Sequence, residues 1–106
     1  MINVVIERSK EYQVIRKVHV CGHAEFNEAG SDIVCAGVSA IVFGTLNAIV
    51  ELWGEDSTIV NVQDNEVLIE AELDINVCNV LEVMYYQLKS IAESYNDYIS
   101  IQEQEV

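Results

Sequence analysis

From Ile33 to Trp53 the sequence is apolar almost without interruption, and no other stretch constrains the fold as tightly. Glu51 is its only charged residue; Ser39, Thr45 and Asn47 are nearly the only other polar side chains apart from Cys35. A run of about 20 apolar residues is long enough to cross a bilayer as a helix. Dispersed polar residues, Gly37 and Gly44, acidic flanks and a lack of basic anchors argue against that assignment. The run therefore predicts a long helix over 33–53, buried on several sides in a soluble protein. Asp32 or Ser31 is positioned to cap its first turn, and Gly54 to stop it. Gly37, Ala40, Gly44 and Ala48 form a stripe of small residues that lets another helix, of this chain or of a second subunit, approach closely.

The rest of the chain reads as strands around two helices. Ile2–Glu7 and Tyr12–His23 are rich in Val and Ile, with Ser9-Lys10-Glu11 between them as a turn. Val14, Val18 and Val20 share one face of the second strand, and Lys17, His19, Cys21 and His23 the other. Ala24–Ser31 reads as a polar loop containing Gly30. Thr58–Val62 and Glu66–Leu73 form a second hairpin about Asp64-Asn65, residues that tolerate the left-handed backbone of a tight turn. Asn76–Tyr95 is an amphipathic helix with Val77, Leu81, Met84, Leu88 and Ile91 on one stripe. Asp97–Gln102 is a last strand, with Ile99 and Ile101 inward. The order β-β-α-β-β-α-β predicts an α+β fold, a two-layer sandwich with a largely antiparallel sheet packed with two helices. With 106 residues, 51% of them hydrophobic, and no linker-like segment, residues 1–106 are expected to form a single domain.

Eighteen acidic and five basic side chains give a formal charge of −13. Direct nucleic-acid binding is excluded as an expectation, because it relies on Lys and Arg displacing counterions from phosphates. A basic protein partner would instead be attracted. Residues Met1 to Glu7 lack the features of a secretion signal, and three cysteines cannot all pair, so reduced thiols and a cytoplasmic location are expected.

A lone cysteine is most often a small buried hydrophobe, and on that ground Cys21 and Cys78 are read as packing. Cys35 differs by position. With Asp32 capping the helix, Cys35 falls in its first turn, where unpaired N–H groups and the helix dipole favour the thiolate. His23, at the end of the preceding strand, is placed to act as its base. The residues by themselves leave this pairing and a purely structural Cys35 about equally supported. A metal site is the competing chemistry: His19, Cys21 and His23 lie on one strand face. His19 and His23 would lie roughly 13 Å apart along a regular strand, whereas zinc ligands converge to about 2.0–2.3 Å from the ion. No metal and no cofactor are expected.

The stretch Gly22–Ala40, GHAEFNEAGSDIVCAGVSA, resembles the signature of the ribosomal-processing cysteine protease family, Prp. The likeness runs through Gly22-His23-Ala24, Gly30, Asp32-Ile33-Val34-Cys35-Ala36 and Ser39 without insertion, and the expected element layout matches across essentially the whole chain. The resemblance implies a cysteine endopeptidase with a Cys–His dyad, Cys35 as nucleophile and His23 as general base. It implies as substrate a ribosomal protein precursor: the short N-terminal extension of large-subunit ribosomal protein twenty-seven, cut after a phenylalanine in an apolar segment, in support of ribosome assembly. It also implies a homodimer. Asp32 and Ser39 match motif positions as supporting candidates. Gly22 and Gly30 are read as hinges of a loop covering the site, and no membrane partner is expected. The competing reading is a non-enzymatic dimeric module that binds a ribosomal protein or assembly factor, with Cys35 structural.

Overall fold

Branched residues with alternating burial build the first hairpin. In the computed structural model, which describes residues 1–22 and 29–106 (backbone alone for 29–32), strand β1 is Ile2–Arg8 and strand β2 is Ile15–Cys21. They pair antiparallel. The turn between them is tied by Ser9 N–H to Val14 O at 2.8 Å and Gln13 N–H to Ser9 O at 2.8 Å. Tyr12 and Val14 thus belong to the turn, and β2 begins later than the expected Tyr12. The register then shifts from Glu7↔Lys17 to Arg8↔Ile15, which leaves Arg16 as an extra residue. This bulge reverses the expected alternation at that end, so that Ile15 rather than Val14 is fully buried. The strand stops at Cys21, short of the expected His23, which lies outside the described residues.

Helix α1 is Ala29–Trp53. Its start corrects the sequence expectation: Gly30, Ser31 and Asp32 lie within the helix, not in a loop or at its cap. The apolar run marks where burial begins, whereas helical hydrogen bonding extends a further turn toward the N-terminus. At the other end Gly54, at φ 92°, closes the helix by donating to Val50 O at 2.8 Å. A short 3₁₀ turn, Glu55–Ser57, leads into β3, Thr58–Gln63, and β4, Glu66–Ala71, paired antiparallel about Asp64-Asn65. Asn65 takes the left-handed conformation, φ 61°.

Helix α2, Ile75–Ser94, is capped by the Asp74 carboxylate, which accepts from the N–H of Asn76 at 2.9 Å and of Val77 at 3.4 Å. It buries Val77, Cys78, Leu81, Met84, Tyr85 and Leu88. Strand β5, Ile99–Glu105, then pairs parallel with β1. The sheet order is β3-β4-β2-β1-β5, a mixed sheet with one parallel pair, and both helices pack on one face of it. The two-layer α+β sandwich is as expected. Ile6, Ile15, Ile49, Ile69, Leu81, Met84 and Leu88 form the fully buried centre.

α1 is less covered than expected. Val34, Val38, Val42, Leu46 and Ile49 make a single buried stripe, while Ile33, Phe43, Val50 and Leu52 are exposed. Of the small-residue stripe, Gly37 faces α2 of the same chain: a Cβ there would lie 3.1 Å from Ile91 Cδ1. Ala40, Gly44 and Ala48 instead line an open groove with Val80 and Val83.

Candidate active site

A helix brings residues four apart onto one ridge, and Cys35, Ser39 and Phe43 follow that spacing along α1. All three line a groove of about 320 Å³ between α1 and the sheet. Ile2, Val20 and Val67 contribute the sheet side, and the end of the β3–β4 hairpin contributes Val62, Gln63 and Asn65. Cys35 is half-buried, its inner side packed against the core, and Ser39 is exposed. Because α1 begins at Ala29, Cys35 sits in its second turn rather than the first. The dipole effect falls off within the first turn, so the direct pull of the helix N-terminus on Cys35 is weaker than the sequence suggests.

Gly22 lines the same groove. Its φ is +89°, a Cβ there would lie 2.5 Å from Met1 O, and its N–H donates to Asn65 O at 2.9 Å. These contacts require glycine for a reason independent of any hinge motion, since the backbone is pinned on two sides. His23 lies outside the described residues, as does the side chain of Asp32. Gly30 is described only as backbone within α1.

Of the residues weighed for a metal, His19 and Cys21 share one face of β2, and His23 lies outside the described residues. His19 and Cys21 alternate with the buried Val18 and Val20, so they point to the face of the sheet away from the helices. The sheet therefore lies between them and Cys35. His19 Nε2 is 2.6 Å from Glu66 Oε1 on that open face. Cys78 is buried, its Sγ 3.7 Å from Glu72 O, and burial is the main cause that pushes its thiol pKa up. It packs, as expected.

Sequence reasoning missed the apolar walls of the groove. Phe43 was legible, two turns beyond Cys35 on the same ridge. Val62 and Asn65 were not, because their approach to α1 depends on the strand order.

The family described as cysteine protease Prp matches residues 1–100 of this chain. The ribosomal processing cysteine protease Prp of Staphylococcus aureus is 39% identical over 105 residues, covering 95% of this chain and 97% of that one. The fold is similar to that of the essential ribosomal processing protease Prp from S. aureus in complex with a substrate peptide, with a TM-score of 0.87, 32% identity and coverage of 98% of this chain and 100% of that one. The same enzyme in complex with a covalently linked product peptide gives a TM-score of 0.86 at 33% identity, with the same coverage.

Proposed function

This chain belongs to the cysteine protease Prp family, and from that premise we propose that it is the peptidase that removes the N-terminal extension of large-subunit ribosomal protein twenty-seven. The observation that carries this reading is the groove in which Cys35 and Ser39 lie together among apolar walls. Such walls suit the apolar segment in which the cut is expected to fall.

Cys35 is the nucleophile and His23 the general base. His23 takes the thiol proton as Sγ attacks the scissile carbonyl, then delivers it to the amine as the peptide bond breaks. The resulting thioester is cleaved by water, which restores the thiol and releases the acid. Ser39 is placed to hold a substrate backbone group, being one turn from Cys35 in the same groove. Asp32 keeps a supporting role, and Gly22 holds the backbone beside the groove, pinned by Met1 and Asn65, in place of the expected hinge.

The uncovered side of α1 supports a homodimer. A helix this apolar carries Ile33 at 59% and Leu52 at 64% exposure in the single chain, and a second copy would cover such a surface. The compact two-layer globule supports a soluble protein, acting in the cytoplasm where ribosomes assemble. A charge of −13 favours approach of a basic ribosomal protein.

The test is incubation with the extended ribosomal protein, read by mass spectrometry. One cut within the extension, lost in both Cys35→Ala and His23→Ala, is expected. Cutting that survives either substitution refutes the dyad, and an intact substrate refutes the substrate assignment.

A further inference from the structure

The two edges of the sheet are built differently. β5 ends one edge with Gln102, Glu103, Gln104 and Glu105, the kind of charged rim that discourages pairing with another strand. β3 ends the other with Thr58-Ile59-Val60-Asn61-Val62-Gln63: no charge, no proline and an unbroken register against β4. Ile59, Val60 and Val62 are 53%, 40% and 54% exposed. Of the two edges, the undefended one borders the groove that holds Cys35, through Val62 and Gln63.

The register also tells which backbone groups are available. Gln63 and Glu66 flank a two-residue turn and so form a hydrogen-bonded pair. Antiparallel pairs alternate, so Asn61↔Leu68 and Ile59↔Glu70 are bonded as well, and Val60 and Val62 turn their N–H and C=O outward. The far side of β4 agrees with this parity: Asn65 O accepts from Gly22 N–H and Ala71 O from Arg16 Nε, both on the β2 side. Among the described residues no strand lies beyond β3.

We propose that the substrate polypeptide docks as an added strand on the free edge of β3, its main chain paired with Val60 and Val62, and places an apolar side chain in the groove walled by Val38, Val42, Phe43 and Val62 beside Cys35. The inference rests on the peptidase reading above and adds how the substrate is held. Edge pairing supplies main-chain hydrogen bonds for affinity, and alternate side chains entering a pocket supply selectivity. An extended segment is selected over a helical one, because only an extended backbone presents matching groups at strand spacing.

The experiment is amide hydrogen exchange by NMR on the full Cys35→Ala chain, with and without a synthetic peptide spanning the N-terminal extension. Binding is followed separately by anisotropy of the labelled peptide. At saturation the Val60 and Val62 amides should exchange at least about tenfold more slowly, the scale of one net hydrogen bond, while Ile59 and Asn61, already bonded to β4, stay unchanged. A saturating peptide that leaves Val60 and Val62 unchanged overturns the proposal. Protection that appears without peptide and grows with protein concentration means a second copy occupies the edge, which overturns it too. In the active chain, Val60→Pro removes one outward N–H and no ladder bond, so KM for the same peptide should rise roughly tenfold with kcat nearly unchanged. If the wild-type chain fails to cut a peptide that still protects Val60 and Val62, the substrate assignment falls and the edge site stands. A peptide neither bound nor cut overturns both.

Discussion

At Gly22 two independent demands meet in one residue. The backbone adopts φ +89°, and the space where a Cβ would sit is taken by Met1 O at 2.5 Å. A backbone atom cannot rotate away as a side chain would. Left-handed strain alone costs about 1–2 kcal/mol for a residue with a Cβ, so Gly22→Ala should destabilise the chain by more than about 2 kcal/mol. Denaturant unfolding measures this, and a loss below about 0.5 kcal/mol would contradict the geometry. The cysteines offer a second comparison. Cys78 is 2% exposed and burial raises its thiol pKa; Cys35 lies half-buried in an open groove. Limited alkylation at neutral pH, mapped by mass spectrometry, should modify Cys35 at least about tenfold faster than Cys78. Equal slow labelling of the two would remove the case for an activated Cys35.

The elements differ in how much of themselves this chain covers. α2 presents the buried stripe of an ordinary amphipathic helix, whereas α1 buries one stripe and leaves apolar residues on the others. Gly44 makes the difference measurable. A Cβ at Gly44 meets nothing within 4 Å in the single chain, and alanine exceeds glycine in helix propensity by about 1 kcal/mol. Gly44→Ala should therefore raise stability by roughly that amount at protein concentrations where the chain is monomeric. In a dimer packed over Ala40, Gly44 and Ala48, the added methyl should weaken association. Sedimentation of the variant across concentrations separates the two effects, and an unchanged dimer would show that this groove is not the interface. The start of α1 shows where reading from sequence loses accuracy. Its first turn, Ala29-Gly30-Ser31-Asp32, lacks the apolar period that marks the rest, and glycine and serine are ordinary loop residues. The capping reading of Asp32 and the first-turn position of Cys35 shift together with that boundary.

Across the whole molecule, β1, α2 and β5 are tied by one charged cluster. Arg8 donates to both Glu82 oxygens at 2.9 and 2.7 Å and to Glu103 at 2.8 Å, and Tyr85 OH donates to Glu103 at 2.9 Å. The hydrogen bond from Arg8, helped by that from Tyr85, holds the Glu103 carboxyl below its ordinary value of 4.5. A carboxyl lowered on folding contributes stability that is present above its unfolded pKa and lost as pH falls through the folded one. Stability should thus decline as pH drops below about 4.5, with a shallower decline in Glu103→Gln; identical slopes would exclude Glu103 as a contributor. Neither this cluster nor the groove was legible beforehand, since Arg8, Glu82 and Glu103 are far apart in sequence. What the sequence determined alone is everything of short range. Alternation marked the strands, the apolar run and stripe marked both helices, and the four-residue spacing put Cys35 and Ser39 on one ridge. Those features depend on residues within a turn or two of each other, whose geometry the backbone periods dictate. Tertiary structure alone decided the strand order, the parallel pairing of β1 with β5, the bulge at Arg16, and the meeting of the β3–β4 hairpin with α1 that walls the groove around Cys35. Each is a contact between segments distant in the chain, chosen by which faces bury together and carrying no local period to read.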